Sequence, residues 1–164
     1  MKKIKVFGRN FTVLEQKSEK DFVETKSKEI VVNSCKTPSN LLLNAFLADL
    51  LYSQLQKIYD QMKRKGKIEV FGSLDFEIVE KIDKKKQRIA KINGNKILVK
   101  LNAIALPKSA LKYIIAHEIA HIFIKRHTNR FWKTVELMYP NFREAENLLE
   151  KYEDFILHTP KKFI

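Results

Sequence analysis

The sequence predicts an α+β fold in which an antiparallel sheet packs against helices. Strand-like segments with turn residues between them lie in the first two thirds of the chain, on both sides of one long predicted helix. The clearest turn is Asn93-Gly94, a two-residue hairpin signal between Arg88–Ile92 and Ile97–Leu101. The last third has helical periodicity instead, with predicted helices at about 107–124, 128–138 and 142–155. With 164 residues, we expect one domain over 1–164 with a core of its own.

The N-terminal elements follow from short alternating segments and their turn residues. Ile4–Phe7 and Phe11–Leu14 flank Gly8-Arg9-Asn10 and predict a first hairpin, and Glu29–Val32 predicts a further strand.

A long helix comes next. Thr37 is its predicted cap, Pro38 lies in its first turn, and Gly66 ends it. Ile68–Phe71 and Phe76–Ile82 then predict two more strands. For the last helix, Asn141 followed by Glu144 resembles a capping box.

The helix predicted at 107–124 carries polar residues in an apolar setting. It is apolar almost all round, which is typical of a buried helix, yet its middle contains His117, Glu118 and His121 in the pattern H-E-x-x-H. Unpaired polar groups there would cost roughly 2–7 kcal/mol each. A bound Zn²⁺ satisfies all three, because the imidazoles coordinate it and the carboxylate acts as general base toward its water.

The spacing of residues along the sequence does not by itself identify the third metal ligand. On a continuing helix, His127 would lie roughly 240° round and about 9 Å along from His121, out of reach of the same metal. It becomes a ligand only if the helix stops near Ile124 and the chain turns back, with Thr128 capping a new helix. We favour His127, since histidine is the commonest metal ligand. The alternatives are the carboxylates Glu136 and Glu144.

Residues 97–150 resemble a known family. The similar segments are the strand 97–102, Leu106-Pro107, the motif helix 111–121, His127-Thr128-Asn129-Arg130-Phe131-Trp132 and Tyr139-Pro140-Asn141-Phe142. Together they resemble the YgjP-like metallopeptidases, small zincins related to the SprT and Wss-type proteases.

The resemblance implies a zincin-like fold of the minigluzincin type, with a family-like core over about residues 67–155. It implies a zinc metallopeptidase in which His117, His121 and His127 bind Zn²⁺ and Glu118 is the catalytic base. It also implies that a protein or peptide substrate lies along an edge strand, which we expect at or near Ile97–Asn102. The candidates for a second stabiliser of the oxyanion are Tyr113, Arg126, Tyr139 and His158.

Composition limits the setting. The single Cys35 excludes an intramolecular disulfide and favours a reducing compartment. The longest apolar segment, Leu41–Leu51, falls short of the roughly 20 residues that a membrane span needs. We therefore expect a cytoplasmic protein with no membrane partner, while its oligomeric state is not predicted.

Basic residues are concentrated in the middle of the chain. The net charge is +13, and residues 57–100 hold 13 basic against 6 acidic side chains. Segments 63–67 and 84–88 are the densest, and such surfaces attract DNA or RNA. The main expectation is a zinc peptidase, for which nucleic-acid-associated proteins are one candidate substrate class. The alternatives are a nucleic-acid-binding or scaffold protein with structural or vestigial zinc, and a zinc hydrolase of a non-peptide bond.

Overall fold

The computed structural model describes residues 2–66, 68, 73–82 and 88–152, which form two small sheets and four α-helices. The predicted α+β class is confirmed. Each sheet contains one parallel pair, whereas the sequence predicted a purely antiparallel sheet.

The first sheet has the strand order β1-β2-β4-β3. The predicted hairpin forms, although its turn lies at Phe7 and Gly8, both with positive φ, and Arg9 already belongs to the second strand. The edge strand β3 was not predicted, because its charged, exposed residues lack an apolar alternation. The four strands are β1 (Lys2–Val6), β2 (Arg9–Lys17), β3 (Phe22–Lys26) and β4 (Glu29–Ser34).

The second sheet has the order β5-β7-β6. Its hairpin turns at Gly94-Asn95, one residue later than predicted, with Gly94 in the left-handed region at φ +62°. The predicted strand at 68–71 falls on residues of which only Ile68 is described. The three strands are β5 (Asp75–Val79), β6 (Ala90–Asn93) and β7 (Lys96–Lys100).

This order changes the expected edge strand. β7 is the central strand, and β6 has β7 as its only partner among the described strands. The strand predicted over Ile97–Asn102 ends at Lys100, and Leu101–Ala105 form a 3₁₀-helix. Among the described strands, the exposed edge beside the motif helix is therefore β6.

Helix α1 (Ser39–Arg64) packs one face against the motif helix. Pro38, and not Thr37, occupies its N-cap, because Asp21 accepts the backbone N–H groups of Cys35, Lys36 and Thr37 and holds that loop outside the helix. Gly66 follows its C-terminal end with φ +67°, as the sequence predicted.

The remaining helices frame the histidines. α2 (Lys108–Phe123) is buried from Ala110 to Ala120 except at Lys112. α3 (Asn129–Met138) begins with the predicted cap, since the Thr128 hydroxyl accepts the Phe131 backbone N–H at 3.3 Å. α4 (Phe142–Glu150) ends before the predicted residue 155. The capping box predicted there is wrong, because the side chain of Asn141 makes no cap hydrogen bond.

The described helices also bear on the membrane prediction. None of them is long and apolar enough to cross a membrane.

Candidate metal centre

Three imidazoles meet where α2 ends. Ile124 adopts an extended conformation, with φ −137° and ψ 116°, so the helix stops and the chain turns back as predicted. This turn brings Nε2 of His127 to 3.1 Å from Nε2 of His121 and 3.2 Å from Nε2 of His117. Within the described part of the chain, these three side chains form the one cluster of metal-binding type.

Hydrogen bonds on the other ring nitrogen orient two of the imidazoles. Nδ1–H of His117 donates to the Glu118 carboxylate at 2.8 Å, and Nδ1–H of His121 donates to the carbonyl oxygen of Ile124 at 3.1 Å. Both partners can only accept, so the protons are on Nδ1 and the Nε2 lone pairs face the cluster. Converging lone pairs repel one another unless a cation lies between them. The residues therefore fit a bound metal ion.

Burial keeps the cluster in the form that binds metals. Burial lowers the pKa of His121 and His127, and the positive charge of a protonated His117 lowers both further. Neutral imidazole is the ligand form, so both shifts favour coordination.

Two aromatic side chains of α3 pack against the histidine cluster. The Phe131 ring is fully buried, with its centroid 4.6 Å from that of His121, 4.9 Å from His127 and 5.2 Å from His117. Trp132 stacks on His127 at 5.7 Å. Sequence reasoning gave these two residues no role at the site. The signals were their place in the family-like segment 127–132 and in the first turn after the Thr128 cap.

Glu118 is buried beside the cluster and both of its oxygens accept hydrogen bonds. Oε2 accepts from His117, and Oε1 accepts the backbone N–H of Ile92, on the edge strand β6, at 3.1 Å. These two donors stabilise a carboxylate that is only 7% exposed. The sequence did not predict that β6 would hold Glu118.

A small cavity of about 70 Å³ opens in front of the histidines and Glu118. Its wall includes Arg88, Ile89 and Ala90, which lead into β6. The guanidinium of Arg88 is near enough for its charge to lower the pKa of His121 and His127. Sequence reasoning placed Arg88 in a basic surface segment, and the structure places it at the metal cavity instead.

The alternative ligands lie elsewhere. Glu136 on α3 and Glu144 on α4 are exposed, and neither belongs to the described cluster.

The predicted oxyanion stabilisers are also separated from the cavity. The Tyr113 hydroxyl donates to Glu146 at 3.0 Å, and its pKa is raised by burial first and by the Glu146 charge second. The ring of Tyr139 lies under the Lys112 ammonium, in a different cavity. Arg126 is exposed and does not line the metal cavity. His158 lies outside the described residues.

The predicted nucleic-acid segments are only partly described. Residues 63–66 are exposed at the end of α1, whereas residues 67 and 84–87 lie outside the described part.

The comparison with protein families decides the family. A sequence model of the YgjP-like family, described as a metallopeptidase domain, matches residues 1–152. The chain belongs to the YgjP-like family. The match extends beyond the resemblance at residues 97–150, and this YgjP-like domain therefore includes the first sheet and α1. Neither the curated proteins nor the solved structures include a match to the chain.

The geometry predicts which side chain is the third ligand. His127→Ala should lower the bound metal per chain well below that of the parent, because two imidazoles cannot complete the site. Elemental analysis after gel filtration measures the metal. Glu136→Ala and Glu144→Ala serve as controls and should retain it. Loss of metal in either glutamate variant, with His127→Ala unaffected, would assign the third ligand to a carboxylate.

Proposed function

We propose that the chain is a zinc-dependent peptidase whose reaction takes place in the cavity beside Glu118. The family is one of metallopeptidases. The observation that carries the proposal is the convergence of three Nε2 atoms next to a buried, doubly hydrogen-bonded carboxylate. This is the side-chain set that metal-assisted hydrolysis needs.

The spacing of the nitrogens supports zinc as the metal. Two ligands at 2.0–2.1 Å in a tetrahedral arrangement lie roughly 3.3 Å apart. The Nε2 separations of 3.1 and 3.2 Å are close to that value. Three protein ligands also leave one position open, as in catalytic sites, whereas a structural zinc takes four. This count favours the peptidase over a scaffold with structural zinc.

In the proposed mechanism, Glu118 takes a proton from the attacking water and later delivers it to the leaving amine. Zinc, when bound, supplies the lowered pKa of that water and polarises the substrate carbonyl. The Ile92 N–H and the His117 ring hold the carboxylate in place, so that it need not reorient during the reaction.

One edge of β6 has no partner among the described strands, and this edge favours a peptide as the substrate over a non-peptide ester or anhydride. Ile92 directs its N–H away from β7 and toward Glu118. Residues two apart along a strand point the same way, so the backbone N–H and C=O of Ala90 also face outward, beside the cavity. An extended peptide can pair with these groups and lie across the histidines.

Arg88 is the cation that we propose for the developing negative charge on the carbonyl oxygen. It is the only Lys or Arg among the described residues that line the metal cavity. Its charge contributes to the lowered pKa of two of the three imidazoles. A guanidinium offers fixed N–H donors, which can stabilise an oxyanion. Tyr113 is less suited, since its hydroxyl is already used by Glu146.

A preference for nucleic-acid-associated proteins is a further part of the proposal. The support for it is the net charge of +13 and the exposed basic end of α1.

Glu118→Gln tests the mechanism. At saturating zinc, hydrolysis of an unfolded protein substrate should fall at least about a hundredfold, the usual effect of losing a general base. The fold should persist, because a glutamine oxygen can still accept one of the two hydrogen bonds. Metal affinity can weaken about 10- to 100-fold if the His117 bond is the one lost, which is why the assay uses excess zinc. Full activity in a zinc-loaded variant would place the chemistry elsewhere.

Arg88→Gln should lower kcat about 100- to 1,000-fold and leave KM nearly unchanged, because the proposed contact exists only in the transition state. Arg126→Gln removes the same charge from an exposed residue beside His127 and should keep kcat. Arg88→Lys should be intermediate, since it keeps the charge without the planar donors.

A raised KM with unchanged kcat in Arg88→Gln would instead make Arg88 a binding residue for a substrate carboxylate. If the parent itself hydrolyses no protein, the peptidase proposal fails, whatever Arg88 does.

A further inference from the structure

A second cavity, of about 420 Å³, lies between α1, α2 and the turn that joins α3 to α4. Among the described residues, four lysines line it and no aspartate or glutamate does: Lys57 and Lys65 come from the α1 side, Lys108 and Lys112 from α2. The buried side chains Ile58, Met62 and Met138 form an apolar floor beneath the ammonium groups.

The positions of two of these lysines are electrostatically unfavourable for helix α2. Lys108 and Lys112 are four residues apart on α2, so their charges lie on one face and repel each other. Lys108 is also in the first turn of α2, where the helix dipole disfavours a cation. Lys57, Lys65 and Lys108 form no ion pair with any residue in the described ranges.

The cavity is separate from the metal centre. Lys108 and His117 are nine positions apart on α2, which corresponds to about 13 Å along the helix axis. None of the lining residues of the two cavities is shared. A ligand here therefore need not touch the reacting groups.

We infer that this lysine cavity binds the phosphate groups of a multiply charged ligand. Four ammonium groups spread over one cavity match several negative charges better than a single carboxylate. Lysine binds phosphate as a point charge without a fixed geometry, which suits either a free polyphosphate or the backbone of a single strand. The apolar floor leaves space for the uncharged part of such a ligand. The inference does not rest on the proposed peptidase activity.

The test compares two triple variants of the full, zinc-loaded chain. Lys57→Gln/Lys108→Gln/Lys112→Gln alters the cavity. Lys20→Gln/Lys133→Gln/Lys151→Gln makes the same change in net charge at exposed positions outside it. The probes are a fluorescein-labelled 15-nucleotide oligothymidine, followed by anisotropy at several salt concentrations, and inorganic tripolyphosphate, followed by calorimetry. Circular dichroism and protein hydrolysis should be unchanged in both variants, since neither touches the metal centre.

We expect the affinity of the cavity variant for the bound probe to fall at least tenfold, and that of the control variant to fall less than threefold. If the strand is the ligand, the log–log salt slope should also become shallower by about 0.7 for each lost phosphate contact. The ligand is a free polyphosphate if the cavity variant loses affinity for tripolyphosphate and the parent binds the oligothymidine no more tightly than tripolyphosphate. Equal losses in the two variants, or no binding of either probe by the parent, would overturn the inference.

Discussion

The geometry of the site depends on one event in the chain, the end of α2 at Phe123. A helix that continued would carry His127 to the wrong side and out of reach of His121. The extended residue Ile124 prevents this, and its carbonyl also accepts the Nδ1–H of His121. The residue that ends the helix thus also orients one of the imidazoles that the turn brings together.

The aromatic side chains of α3 hold the turn in place by packing against the imidazoles. Thr128 starts α3 directly after His127, and that start places Phe131 against all three imidazoles and Trp132 against two, His117 and His127. Removing an aromatic ring from such a buried position usually costs about 3–5 kcal/mol, so the returning chain is held by packing as well as by any metal. The histidines can therefore converge before the metal binds, which lowers the ordering cost of binding.

The sequence predicted the elements of the site better than their arrangement. The H-E-x-x-H helix, its end near Ile124 and the Thr128 cap each follow from local chemistry, and the structure has all three. The position of β6 at the edge, and the Ile92 N–H on Glu118, depend on pairing between strands distant in the chain. Arg88 was assigned to a basic surface because composition carries no information about which cavity a side chain lines.

The central claim is that His117, His121 and His127 hold one zinc ion and leave a position open for water. Zinc K-edge X-ray absorption of the purified chain, with elemental analysis of the same sample, tests it most directly. The account predicts one zinc per chain, with three imidazole nitrogens and a light oxygen ligand at about 2.0–2.1 Å. A chain that takes up no zinc when it is supplied, or a zinc with four protein ligands, would contradict it.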